Sequence, residues 1–266
     1  MNNKKENQKQ KIQRLNETRY NNQGCLMKII EYNKSTDIVI EFQDNYKAKV
    51  HSRYNNFIRG HVDNPFYASV YGHGIVGNRD YNSRSKEYKS WCRMLERCYS
   101  EKLINKRPTY EDVTCCDEWL YYPNFYEWLH SQENFEKWYN GKRWAIDKDI
   151  LIKGNKIYSP DTCCLVPRRV NTLFTKADSN RGEYPIGVYF KKENNCFCSQ
   201  ISKIQNNGEK QQEFIGYYNT PEEAFCAYKK TKESYIKQIA QEEYDKGNIT
   251  KQCYEAMMRY EVEIDD

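Results

Sequence analysis

Few residues in this chain could do chemistry, and they fall in clusters. Asp147-Lys148-Asp149 lie in Trp144–Ile150, a run that reads as a strand. Alternation along a strand puts Asp147 and Asp149 on one side and Lys148 on the other. Lys148 could act as a proton acceptor only if desolvation or a nearby positive charge lowered its pKa by several units. A plain ion pair of Lys148 with Asp149 or Asp147 is the other reading. Of the four histidines, His130 is nearest in sequence, while His51, His61 and His73 read as polar surface. Eleven cysteines include the pairs Cys115-Cys116 and Cys163-Cys164. Structural zinc takes cysteines two to four residues apart, so adjacent pairs argue against zinc and for buried thiols. An odd cysteine count in a chain without a secretory signal reads as reduced cytosolic thiols.

The elements that must position these residues follow from periodicity. Cys25–Tyr32, Asp37–Phe42 and Lys47–Arg53 read as strands, with Asn33 to Thr36 as a hairpin loop and Tyr54-Asn55-Asn56-Phe57 following the third strand. Gly72-His73-Gly74 and Gly77-Asn78 mark a loop. Tyr88, Trp91, Cys92, Leu95, Cys98 and Tyr99 predict an amphipathic helix over 86–99, and Pro123 opens a second one through Phe125, Trp128 and Leu129. Trp144–Ile150 and Cys163–Val166, followed by a helix from Pro167 to about Phe174, form a ββα unit. Ile186–Phe190, Cys196–Ser202 and Gln212–Tyr218 alternate as strands, with Asn194-Asn195 and the 206–208 run as turns. Thr220-Pro221-Glu222-Glu223 then starts a helix as a capping box. The fold class expected is α+β.

Charge is asymmetric. Residues 1–23 hold six bases and two acids, whereas 241–266 hold three bases and eight acids; the whole chain is +5. A basic arm suits nucleic-acid phosphates, and a solvated tail is the alternative. With 38% hydrophobic and 15% aromatic residues the chain is too aromatic for disorder. It has no apolar run of about 18 residues for a membrane span, so no membrane is expected.

The last region resembles AP2 domains: Gly187-Val188-Tyr189-Phe190, Asn195-Cys196-Phe197-Cys198-Ser199-Gln200-Ile201, and Ile215-Gly216-Tyr217-Tyr218 leading into Thr220-Pro221-Glu222-Glu223-Ala224-Phe225-Cys226-Ala227-Tyr228. The resemblance implies a three-stranded sheet laid in the major groove of double-stranded DNA with a helix behind it. Its candidate contacts are Lys191, Lys192, Gln200 and Lys203, with Arg168 and Arg169 from the preceding helix. Tyr189 and Ser202 stand where the family often has Arg, which favours phosphate contact over base reading.

The middle is similar to bacteriophage HNH homing-type endonucleases. The matching residues are Tyr88-Lys89-Ser90-Trp91-Cys92-Arg93-Met94-Leu95-Glu96-Arg97-Cys98-Tyr99, Val113 to Trp119, Ile146-Asp147-Lys148-Asp149, and Tyr158-Ser159-Pro160-Asp161-Thr162-Cys163. Many such proteins end in an AP2 domain. The implied layout is a basic arm over 1–23, a small N-terminal β-module over 24–84, an HNH-like ββα unit with flanking helices over 85–178, and an AP2-like domain with an acidic helical tail over 179–266.

The HNH resemblance implies one Mg²⁺ or other divalent ion held by Asp147 and Asn171, with Lys148 where the family has its base histidine. The expectation is a phage-type DNA-binding protein in the bacterial cytoplasm whose cleavage site is degenerate. A metal-dependent nicking endonuclease and a counter-defence protein that binds a host protein are the alternatives.

Overall fold

The computed structural model describes residues 12–77, 81–175, 183–204 and 209–264. Lys4, Lys5, Lys9 and Lys11 of the basic arm, Asn78, the linker at 178–182 and the turn at 206–208 lie outside them. The described residues form a mixed α+β chain with five small sheets. Two compact units are present: residues 1–111 with 117–127, and 112–116 with 128–266.

The first unit opens with a four-stranded antiparallel meander of β1 (Thr18–Tyr20), β2 (Leu26–Lys34), β3 (Asp37–Phe42) and β4 (Lys49–Ser52). Met27, Ile29, Ile38, Ile40 and Phe42 are fully buried in one core with Phe57. The hairpin is tighter than the expected four-residue loop, because Lys34 pairs with Asp37 and leaves Ser35-Thr36 as the turn. β4 starts later than predicted. Lys47 sits at φ 50°, and Asp44 Oδ1 accepts from the Tyr46 and Lys47 amides at 3.0 Å, so the chain is still turning there. A short helix, α1 (Tyr54–Ile58), follows it.

β5 (Ala68–Val70) and β6 (Gly74–Ile75) pair across the predicted glycine loop. The amphipathic helix α2 (Lys86–Tyr99) forms where the periodicity puts it, with the Ser85 side chain accepting from the Tyr88 amide at 3.1 Å. Trp91, Met94, Leu95 and Cys98 are its buried stripe, and the Trp91 indole donates to Trp119 O at 2.7 Å. α3 (Glu101–Lys106) follows directly.

In the second unit β7 (Thr114–Cys115) is a two-residue strand. α4 (Asp117–Leu120) belongs to the first unit, and α5 (Tyr122–Ser131), with Pro123 in its first turn, runs from one unit into the other. α6 (Phe135–Asn140) leads to β8 (Trp144–Asp147). β9 (Ile157–Tyr158) pairs with β7 in parallel. β10 (Cys164–Pro167) pairs antiparallel with β8, and α7 (Arg168–Leu173) completes the ββα path.

β11 (Val188–Lys191), β12 (Cys196–Ile204) and β13 (Lys210–Tyr218) form an antiparallel sheet in sequence order. The long helix α8 (Pro221–Asp245) packs on it, and α9 (Lys251–Met258) packs on α8. The Thr220 hydroxyl accepts from the Glu223 amide at 3.2 Å, as the capping residues predict. Val166, Val170, Ile201, Ile236, Ile239 and Met257 share one core, so the ββα segment and the sheet are built on the same hydrophobic centre. Gly187, at φ +77°, lies so close to the Tyr228 ring that any Cβ would collide with it.

Candidate functional site

The predicted catalytic residues do come near one another, in an arrangement that holds the chain rather than a ligand. β8 ends at Asp147 instead of running to Ile150. Asp147 Oδ1 accepts from the amides of Asp149 at 2.8 Å and Ile150 at 2.9 Å, and this turns the backbone out of the strand. The strand alternation expected to bring Asp149 beside Asp147 therefore fails. Asn171, on α7, donates its side-chain amide to the other Asp147 oxygen. Asp147 is 6% exposed, and burial raises its pKa above the ordinary aspartate value despite the hydrogen bonds that pull it down.

Lys148 is paired with Asp149 and donates to Asn155 O at 2.8 Å. This is the ion-pair reading, and it takes Lys148 away from any base role at Asp147. His130 is exposed, its ring centroid 4.0 Å from that of Phe135. All eleven cysteines are free thiols. Burial pushes the Cys163 thiol up to about 12, and contact with Cys253, added to burial, raises that of Cys164.

A hard divalent cation needs about six oxygen ligands, several of them waters in the case of Mg²⁺. Asp147 has both oxygens committed, a pKa shifted toward the neutral acid, and almost no open surface at which water could complete a coordination shell. Asn171 spends its amide on Asp147. Among the described residues no group of three or more His, Cys, Asp or Glu is gathered to hold a metal ion. These residues do not fit a Mg²⁺ centre.

The C-terminal sheet offers a different kind of site. Residues opposite one another in an antiparallel pair share a face. Tyr189, Cys198 and Tyr217 make one cross-strand row. A register shift after Ser199 leaves Ile215 as the extra residue, and pairing resumes with Gln200 opposite Phe214 and Ser202 opposite Gln212. One face therefore carries Tyr189 and Lys191 from β11, Cys196, Cys198, Gln200, Ser202 and Ile204 from β12, and Lys210, Gln212, Phe214 and Tyr217 from β13. It has two lysines and no carboxylate. Tyr189, Phe214 and Tyr217 are 39%, 51% and 52% exposed. Lys191 Nζ donates to the Tyr217 hydroxyl at 3.3 Å and lies 5.4 Å from that ring's centroid.

The opposite face carries Ser199 and Ile201, both buried, and meets α8.

Placement sorts the six predicted nucleic-acid contacts. Lys191 and Gln200 are on the outer face, and Lys192 is exposed in the turn after β11. Lys203 alternates to the α8 side, where it pairs with Glu213 at 2.7 Å and lies 5.7 Å from the Tyr235 ring centroid. Arg168 is exposed. The Arg169 guanidinium pairs with Glu242 at 2.7 Å and with the buried Glu243 at 2.6 Å. Phe214 and Tyr217 are not among the sequence candidates; plain alternation over Gln212–Tyr218 separates them, and the register shift puts them on one face. Comparison with family models, curated proteins and solved structures gives no match.

Proposed function

We propose that this chain is a DNA-binding protein that uses the outer face of the β11–β13 sheet, in the manner of the AP2 domains it resembles, to bind double-stranded DNA. The carrying observation is the composition of that face: two lysines, two glutamines, three exposed aromatic rings and no carboxylate. Phosphates attract the lysines, and the amides and rings can meet bases and sugars. Lys192 and Arg168 are further exposed cations. In this reading the HNH-like ββα segment is a scaffold: Asp147 and Asn171 knit β8 to α7, and Lys148 is spent on Asp149.

The test is fluorescence anisotropy of the full chain on a labelled duplex across a salt series. Three or four phosphate contacts give a log–log slope of about −3, and Lys191→Ala reduces it by about one. A flat salt response, or no affinity at low salt, overturns the reading. The second reading, a metal-dependent nickase, rests on the adjacency of Asp147 and Asn171. Nicking of supercoiled plasmid with Mg²⁺ or Mn²⁺ that disappears in a folded Asp147→Asn variant would establish it in place of the scaffold role.

A further inference from the structure

We infer that the outer face of the β11–β13 sheet engages DNA with unpaired bases more tightly than intact duplex, stacking bases on its rings and admitting one base into the cleft beside Ser202. The inference rests on the DNA-binding reading above and names the form of DNA that the face fits.

The first argument is what the rings can touch. In a duplex each base face is covered by its neighbours, and only base edges are open in the grooves. Of the side chains that read base edges this face has no Arg, only Gln200 and Gln212. It has instead Tyr189, Phe214 and Tyr217, all well exposed, with Phe214 and Tyr217 centroids 4.8 Å apart. Flat aromatic surface of this kind pairs with base faces, and those are free only where the strand is unpaired. Between Tyr189 and Tyr217 in the same row lies Cys198, a small residue with no exposed surface. Lys191 beside Tyr217 supplies a cation at the edge of this platform.

The second argument is the cleft. A cavity of about 410 Å³ is lined by residues that include Gln200, Ser202 and Gln212 of the sheet, Thr172 and Thr175 at the end of α7, and Lys232 of α8. That volume is in the range of small-molecule pockets and holds a nucleobase with its sugar. Side-chain amides place a donor and an acceptor next to each other, as the hydrogen-bonding edge of a base requires. Ser202 is one of the lining residues, and its hydroxyl is itself buried without a hydrogen-bond partner. Gln200 and Gln212 share the cross-strand register of the ring face, and Tyr228 and Lys232 of α8 also line the cleft.

The experiment uses the full chain and three fluorescein-labelled DNAs of one sequence: duplex, single strand, and duplex with a central four-base bubble. Bubble and single strand are expected to bind at least tenfold tighter than duplex. Phe214→Ala with Tyr217→Ala, which removes exposed rings and leaves the core intact, is expected to remove most of that difference. Ser202→Val is expected to weaken the bubble complex several-fold, and circular dichroism verifies the fold of each variant. Duplex binding as tight as bubble, or variants that weaken all three DNAs by one common factor, overturns the inference and leaves DNA binding in place. Absence of binding to every DNA overturns the reading on which it rests.

Discussion

Replacing Asp147 by alanine should destabilise the second unit strongly, whereas replacing it by asparagine should not. Three donors, one buried and two part-buried, converge on this carboxylate: the amides of Ile150 and Asp149 and the side-chain amide of Asn171. A buried donor left without its acceptor costs about 1–3 kcal/mol. Asn171 can turn toward another acceptor, and loss of a desolvated carboxylate returns part of the penalty, so the net cost of Asp147→Ala is about 3 kcal/mol. In a unit of this size that is a fall in Tm of roughly 6–12 °C, readable by differential scanning fluorimetry.

Asp147→Asn keeps an oxygen for the two backbone amides, and Asn171 can flip its amide to accept, so a cost below about 1 kcal/mol is expected. The pH dependence has a definite sign. Burial raises the folded pKa of Asp147 above its unfolded value, so the contribution of its titration is fully present below the unfolded pKa and is lost as pH rises through the folded one. Asp147→Asn has no such loss, and its stability relative to the parent should improve as pH rises from about 4 to 7. An Asp147→Ala variant that melts with the parent, or an Asp147→Asn variant that melts as low as the alanine, would refute the assignment of Asp147 as a backbone clasp.

Two further perturbations test the surrounding framework. Arg169→Ala leaves Glu243, 3% exposed, without its closest cation, and should cost about 3 kcal/mol by chemical denaturation. Hydrogen bonding to Arg169 lowers the pKa of Glu242, so its stabilisation is present above the ordinary glutamate pKa and lost as pH falls through the folded value; Arg169→Ala should flatten that acid limb. Thr220→Ala removes the acceptor for the Glu223 amide at the start of α8 and should cost about 1 kcal/mol by thermal melt, with a Thr220→Ser control near the parent.

Much of the fold was legible because long elements carry strong periodic signals. The stripe of Trp91, Leu95 and Cys98 specifies α2, and Thr220-Pro221 with Glu223 marks the start of α8 to the residue. Short pairings leave little trace. β1 is three residues of exposed side chains, and β7 with β9 is a two-residue parallel pair joined across some forty positions. At the candidate site the residues were visible and their geometry was not. Asp147 looks like the middle of a strand, but its side chain ends that strand by taking two amides, a choice decided by burial. Lys203 and Arg169 read as free cations because their partners, Glu213, Glu242 and Glu243, are supplied by other elements. Gln200 and Lys191 stand on the face that the strand pattern gives them, while the rings beside them read as ordinary strand formers.

The central claim is that one face of one sheet meets nucleic acid, and photocrosslinking maps that directly. The full chain would be irradiated on 5-bromouracil-substituted DNA, and the adducts located by mass spectrometry. Adducts concentrated on Tyr189, Phe214 and Tyr217, suppressed by unlabelled DNA, are the expected result. Adducts confined to the four-stranded meander or to α9, with none on β11 to β13, would contradict it.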